Sequence, residues 1–308
     1  MSTLVCWWGS FDQGGETLGD LWAVCAVINK LLSVDQKVIL AGKTQYSEFP
    51  IPARSWKEVE PKAVSNLVFV CGPVVGSFAE FTSLVQKFSR SKKIAIGVSI
   101  LPISSPKHWN PFDAVISRDG VIPSWGDIAP AFPSSWMQAA GKSTHGEYVG
   151  LCLRGQQSEY GKQACLADQA NHLANALALK TKLPVQILDT KLNNDPNRTR
   201  QIIKEFERCR LIISTRMHGG VLALCSGIPA LGIDQISGGA KLHSVLFGCG
   251  WPYVLRAEEA KSADLEKVIH DFMALPESLL RTISAARVNL VRKAEHALDM
   301  LPPLLTTQ

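Results

Sequence analysis

The chain has 308 residues, 46% of them hydrophobic and 19% charged, with a formal net charge of +5. That length supports two domains and a large core, and the charge is spread over both halves rather than gathered into a basic block, so no nucleic-acid partner is expected. The opening "MSTLVCWWGS" has no basic n-region, and no run reaches the roughly 18 apolar residues of a membrane span. A cytoplasmic setting is therefore expected, with peripheral contact at the inner face of a membrane left open.

In chain order the pattern is strand, loop, helix, repeated. "TLVCWW" (3–8) reads as a buried strand, followed by the glycine-rich loop 9–20 and a helix over 21–32. Further strands are expected at 37–42, 66–71, 93–99 and 113–118, with a helix over 78–90 between two of them. Each strand is a short apolar run without strict alternation, as in sheets covered on both faces. Residues 120–146 hold Pro123, Pro130, Pro133, Gly141 and Gly146 and read as a short helical piece and a linker. The rhythm restarts with strands at 148–154, 184–189, 210–214 and 230–234, and helices over 162–180, 196–209 and 238–250. Two helical stretches close the chain, near 262–273 and 276–298.

This α/β alternation predicts two doubly wound Rossmann-like domains facing a central cleft. The expected boundaries are 1–142 and 147–308, and packing of the closing helices back on the first domain is left open. Ligands of such sheets bind beyond the carboxyl ends of the strands. The eight cysteines sit mostly inside apolar runs and none has C-x-x-C spacing, which predicts buried free thiols in a reducing compartment. His108, His145, His172, His243, His270 and His296 show no metal-ligand spacing, so no metal is expected.

The most informative stretch is "IISTRMHGGVLALCSGIPALGI" (212–233). An apolar strand ends at Arg216 and His218, and Gly219 and Gly220 precede a helix over "VLALCS". Free N–H groups and the dipole at a helix start favour an anion. Arg216 adds a planar fork for carboxylate or phosphate. His218 adds a group suited to proton transfer near neutral pH. The bland reading of the same pair is a salt bridge and a helix cap. A second turn, "DQISGGAKLH" (234–243), sets Gly238 and Gly239 before a helix with Lys241 in its first turn, a cation that makes sense beside an anion. Arg154 in "LCLRGQ" ends an apolar strand and is either paired across the domain or aimed at a ligand. In the first half, the loop "GGETLGD" carries Glu16, Gly19 and Asp20. Asp20 reads either as a ligand carboxylate or as the cap of the helix that follows. Arg118-Asp119 reads as a ligand pair or a local ion pair.

Taken together these segments resemble the polysaccharide pyruvyl transferase family. "STRMHGGVLALCSGIPALGI" is similar to its Arg-hydrophobic-His-small signature and the Gly-hydrophobic-Pro strand entry. "GGETLGD", "AVISRDG", "VGLCLRG" and "GAKLHSVLFGCG" resemble, in order, its first loop, a strand ending in Arg-Asp, the strand whose arginine reaches the donor, and a later lysine-bearing helix. The resemblance spans about residues 5 to 255. It implies a GT-B-like fold and transfer of a pyruvyl group from phosphoenolpyruvate onto two hydroxyls of a sugar, making a ketal and releasing phosphate. It also implies catalytic roles for His218, Arg216 and Arg154, with Lys241, Gly219, Gly220, Gly238, Gly239, Asp20, Gly19 and Arg118 binding substrate. No cofactor is implied, and the partners are phosphoenolpyruvate and a sugar, glycan or lipid-linked saccharide acceptor. The sequence departs from the family in its first loop, which lacks the usual asparagine and follows Trp7-Trp8. It departs again after "NLVFVC", where Gly72-Pro73 stands instead of a glycine cluster and Pro73 removes a backbone donor. A nucleotide-sugar glycosyltransferase of the same fold is the second reading, with Glu159 and Asp189 as candidate ribose ligands. A non-catalytic sugar- or nucleotide-binding protein is the third.

Overall fold

Apolar runs without alternation need cover on both faces, and the chain provides it twice. The computed structural model describes residues 2–13, 15–101, 103, 105, 107–119, 124–132, 146–161, 163–239, 241–259 and 262–306. The linker expected over 120–146 lies largely outside them. The chain divides into two compact units. Unit 1 comprises Met1–Phe132, Lys191–Arg198 and Arg292–Gln308, and unit 2 comprises Pro133–Thr190 and Thr199–Val291.

Unit 1 is a six-stranded parallel sheet built from β1 (Ser2–Trp7), β2 (Val38–Ala41), β3 (Ala53–Arg54), β4 (Val64–Val74), β5 (Lys92–Ile100) and β6 (Ala114–Asp119). Their spatial order is β3-β2-β1-β4-β5-β6, the doubly wound order whose topological switch lies between β1 and β4. β1 is buried along its whole length. Leu4, Cys6, Phe11, Leu67, Phe69, Phe81 and Leu84 form the core of one layer, with α2 (Ala79–Lys87) lying on it. The other prominent helix, α1 (Leu18–Leu32), is almost wholly buried.

Two local features differ from the sequence expectation. α1 begins at Leu18 rather than 21 because Thr17 is its N-cap. The Thr17 side chain accepts from the Asp20 N–H, and the Asp20 carboxylate reaches back to the Thr17 N–H, 2.9 Å away. This reciprocal capping box satisfies two otherwise orphaned donors. β4 does not end at Cys71. It continues through Gly72-Pro73, which pair with Val98 and Ser99 of β5, so these residues form no loop. The strand accommodates the proline because Cys71 and Gly72 adopt left-handed φ values of 64° and 76°. A glycine is required at 72 for a second reason. A Cβ there would lie 1.7 Å from the Trp8 indole nitrogen.

Unit 2 is a five-stranded parallel sheet of β7 (Tyr148–Cys152), β8 (Val185–Ile187), β9 (Cys209–Ser214), β10 (Ala230–Asp234) and β11 (Val254–Arg256), in the order β11-β10-β9-β7-β8. Its helices are α3 (Ala167–Lys180), α4 (Arg198–Glu207), α5 (Met217–Cys225), α6 (Leu242–Gly248), α7 (Ser262–Ala274) and the first part of α8 (Glu277–Asp299), whereas the end of α8 and α9 (Leu301–Thr306) belong to unit 1. The helical start expected at 162 falls at Ala167. The helix expected over 238–250 is shorter, Leu242–Gly248. Two doubly wound parallel sheets are thus present. No helix among the described residues is long and apolar enough to cross a membrane.

Candidate active site

A doubly wound sheet opens a crevice where connections leave its first strand in opposite directions. In unit 2 that point lies between β7 and β9, adjacent strands in register from Tyr148↔Cys209 to Cys152↔Ser214. The two segments that emerge there are Leu153-Arg154 and Thr215-Arg216. A polar network ties them together. The Arg154 N–H donates to Thr215 Oγ1 at 2.7 Å, the Thr215 hydroxyl lies 3.2 Å from Asn171 Oδ1, and Asn171 Nδ2 donates to the Arg154 carbonyl at 3.1 Å. Ser214 Oγ accepts from the Arg216 N–H at 3.1 Å and lies 2.7 Å from its carbonyl. Both arginine backbones are therefore fixed at the crevice.

Arg216 is the N-cap residue of α5, with extended backbone. Its Nε donates to the Leu153 carbonyl at 2.7 Å, and its Nη2 lies 3.5 Å from Asp189 Oδ1. Its side chain is 13% exposed. His218 is buried in the first turn of α5. Arg154 is half-buried beyond the end of β7. The structure thus brings the backbones of Arg154 and Arg216 to neighbouring strand ends, with His218 two residues beyond Arg216 in the first turn of α5. Cys152 lies beneath them, and burial pushes its thiol up to about 11, so it is not a thiolate near neutral pH.

Gly219 and Gly220 do not form the open turn expected of them. They lie inside α5, and the Gly220 N–H already donates to the Arg216 carbonyl. Their lack of side chains serves packing. A Cβ at Gly219 would stand 2.3 Å from Ser214 Oγ and 2.6 Å from Cys152 Sγ, and one at Gly220 would stand 2.9 Å from Leu246 Cδ1. Gly219→Ala should consequently push α5 off the sheet, at a cost of about 1–3 kcal/mol, and displace His218 with it. A denaturant midpoint equal to that of wild type would contradict this packing role.

The second glycine turn is also occupied. The Asp234 carboxylate accepts from the backbone N–H groups of Ile236 (2.9 Å), Lys241 (3.1 Å) and His243 (2.7 Å), so the anion at the start of α6 is the chain's own. Burial raises the Asp234 pKa, and these three backbone donors oppose the rise. The Gly238 N–H donates to Glu258 at 2.8 Å. The Lys241 ammonium lies 5.4 Å from the centre of the Tyr160 ring, a cation–π contact. Gly238 and Gly239 take left-handed φ values of 81° and 69°, which accounts for glycine there without a ligand.

The unit 1 candidates are internal. Gly19 is buried in the first turn of α1, and Asp20 belongs to its capping box. Arg118 is 2% exposed and is bonded to Asp119 (3.0 Å), Ser99 (2.7 Å) and Asp127 (3.5 Å). Burial disfavours its charge, but Asp119 and Asp127 outweigh that and raise its pKa. Its guanidinium is thus engaged by the chain's own groups. Glu16 of the same loop is buried, and its Oε1 lies 3.3 Å from the Tyr46 hydroxyl and from the Asn194 N–H. Asn171 and Thr215 carry no signal in the sequence, and Asp189 stands there only as a possible ribose ligand. The signal for Asp189 was its place after the apolar run "PVQIL". All eight cysteines are free and buried, and no group of three metal-ligating side chains occurs among the described residues.

No curated protein matches the chain. Among solved structures, it is similar to the glycotransferase of kitacinnamycin, with 10% identity, 98% of each chain covered and a TM-score of 0.40. It is also similar to an ABC sugar transporter protein (periplasmic sugar binding protein) from Legionella pneumophila, with 10% identity, 90% of this chain and 96% of that chain covered, and a TM-score of 0.31. Likeness at these scores carries no argument about function. The family model described as polysaccharide pyruvyl transferase matches residues 164–237, and over this segment, which includes Arg216 and His218, the resemblance carried by the R-M-H-G motif holds.

Proposed function

We propose that the protein transfers a pyruvyl group from phosphoenolpyruvate onto two hydroxyls of a sugar, glycan or lipid-linked saccharide, forming a ketal and releasing phosphate. The observation that carries this reading is the meeting of Arg154, Arg216 and His218 at the switch point of the unit 2 sheet, inside the segment of the family match or just before it. Phosphoenolpyruvate presents a carboxylate and a phosphate, and two arginines whose backbones are anchored at neighbouring strand ends suit two anionic groups. Unit 2 is assigned the donor, and unit 1 the acceptor.

The chemistry requires a proton to reach C3 of the enol while a sugar hydroxyl adds to C2 and gives up its own proton. The C2–O bond to phosphate then breaks, and the second hydroxyl closes the ring at C2. Fixed cations stabilise the charge that develops on the leaving phosphate. A histidine beside them is suited to carry a proton. No step calls for a cofactor. The Gly238 and Lys241 N–H groups are held by Glu258 and Asp234, so a contact of this turn with the donor phosphate would come from the Lys241 ammonium.

Calorimetry with phosphoenolpyruvate, using a uridine nucleotide-sugar as comparator, tests the reading directly. Phosphoenolpyruvate is expected to bind the wild type and to lose affinity roughly 10- to 150-fold in Arg216→Ala, the loss of about 1.5–3 kcal/mol typical of a hydrogen bond to a charged group. Binding of the nucleotide-sugar alone would replace this reading with a glycosyltransferase.

A further inference from the structure

Strand order brings a third charge to the proposed donor site. In the sequence β9-β7-β8 across the sheet, Arg216 follows β9, Leu153 follows β7 and Asp189 follows β8. The Arg216 side chain therefore lies across the end of the middle strand. The Leu153 carbonyl, at 2.7 Å, fixes the guanidinium through Nε, but a carbonyl carries no net charge. Asp189 supplies the counter-charge from 3.5 Å, with its side chain 46% exposed against 13% for Arg216. The two contacts differ in kind. The short bond to backbone sets orientation, and the longer bond to a half-exposed carboxylate offsets charge.

We propose that Asp189 is the internal counter-ion of the donor site: a carboxylate that pairs with Arg216 in the free protein and competes with any anion arriving there. This rests on the anion-binding reading of Arg216 given above. A guanidinium without a counter-charge would hold inorganic phosphate, which is the released product, as well as the donor. With Asp189 in place, an anion meeting only Arg216 exchanges one guanidinium–anion pair for another and gains little. After transfer, the departing phosphate has lost its link to the pyruvyl carbon, and Asp189 re-forms its pair with Arg216.

The test is equilibrium binding of inorganic phosphate, phosphoenolpyruvate and a uridine nucleotide-sugar to wild type, Asp189→Asn, Asp189→Glu and Arg216→Ala, with the double variant Asp189→Asn/Arg216→Ala. Removing the charge should tighten phosphate binding about two- to fivefold, the scale of a half-exposed ion pair. Asp189→Glu should stay within twofold of wild type. In the Arg216→Ala background the Asn substitution should change nothing beyond twofold, since the effect passes through the arginine. Asp189→Ser serves as a second charge-removing variant should Asp189→Asn fold poorly. Unchanged or weaker phosphate binding in the charge-removing variants would overturn the proposal and leave Asp189 as an orienting or surface residue. A wild type that binds phosphate and the nucleotide-sugar but not phosphoenolpyruvate would overturn the donor assignment, while the phosphate affinities would still decide the role of Asp189. A wild type that binds none of the three would overturn both.

Discussion

Replacing Arg118 with leucine is expected to destabilise the protein by about 3–5 kcal/mol, the usual result of removing one partner from a buried ion cluster. The guanidinium is 2% exposed and bridges Asp119, Asp127 and the Ser99 hydroxyl. Without it, two carboxylates that are themselves about 1% exposed lose the cation they share. Leucine fills much of the volume but neither donates a hydrogen bond nor offsets a charge. The penalty is mainly that of uncompensated buried carboxylates, so it should shrink when the carboxylates are removed as well. Arg118→Leu combined with Asp127→Asn should recover part of the loss, because the two sites share one network. Thermal unfolding provides the measurement, at about 2–4 °C per kcal/mol for a domain of this size. A midpoint within 2 °C of wild type, below the low end of that range, would show that the cluster is hydrated and would reopen Arg118 as a ligand group. Loss of phosphoenolpyruvate binding without loss of stability would say the same more directly.

Arg118 also illustrates where reading from sequence alone stops. Its position was legible: the run "DAVIS" reads as a strand, and Arg118 closes it. Its role was not, because Asp127 lies nine residues further on and Ser99 belongs to a neighbouring strand. The same holds at the switch point of unit 2. The apolar runs that became β7, β9 and β10 announced themselves, and Arg216 and His218 were visible as polar residues at the end of one of them. The adjacency of β9, β7 and β8 was not visible, so the pairing of Arg216 with Asp189 was not either. Glycines misled for a related reason. Gly219 and Gly220 read as an anion cradle, whereas the space that a side chain would need is filled by Ser214, Cys152 and Leu246. The start of α1 was encoded locally in Thr17-x-x-Asp20, a capping-box spacing. The short edge strands β3 and β11 carry too few apolar residues to stand out.

Replacing His218 with alanine is expected to lower turnover by about 10²- to 10⁴-fold, the usual contribution of a positioned proton carrier, while the fold persists. The structural part of the prediction follows from the location of the side chain. His218 lies in the first turn of α5, a helix held on the sheet by the close approach of Gly219 to Ser214 and Cys152, and alanine is a better helix former than histidine. The kinetic part follows from a division of labour. Arg216 and Arg154 should still bind phosphoenolpyruvate, so its affinity should stay within a few-fold of wild type as the rate collapses. Phosphate release over a panel of hexosides and lipid-linked sugars measures the rate, and calorimetry measures the affinity. A variant that turns over at the wild-type rate would make His218 a buried packing residue. A variant that loses donor affinity in proportion to rate would make it a third binding group for the anion, and the proton carrier would have to be sought elsewhere around the crevice. Only a fall in rate at constant affinity fits a group that acts on the reacting carbon or hydroxyl after the donor is in place.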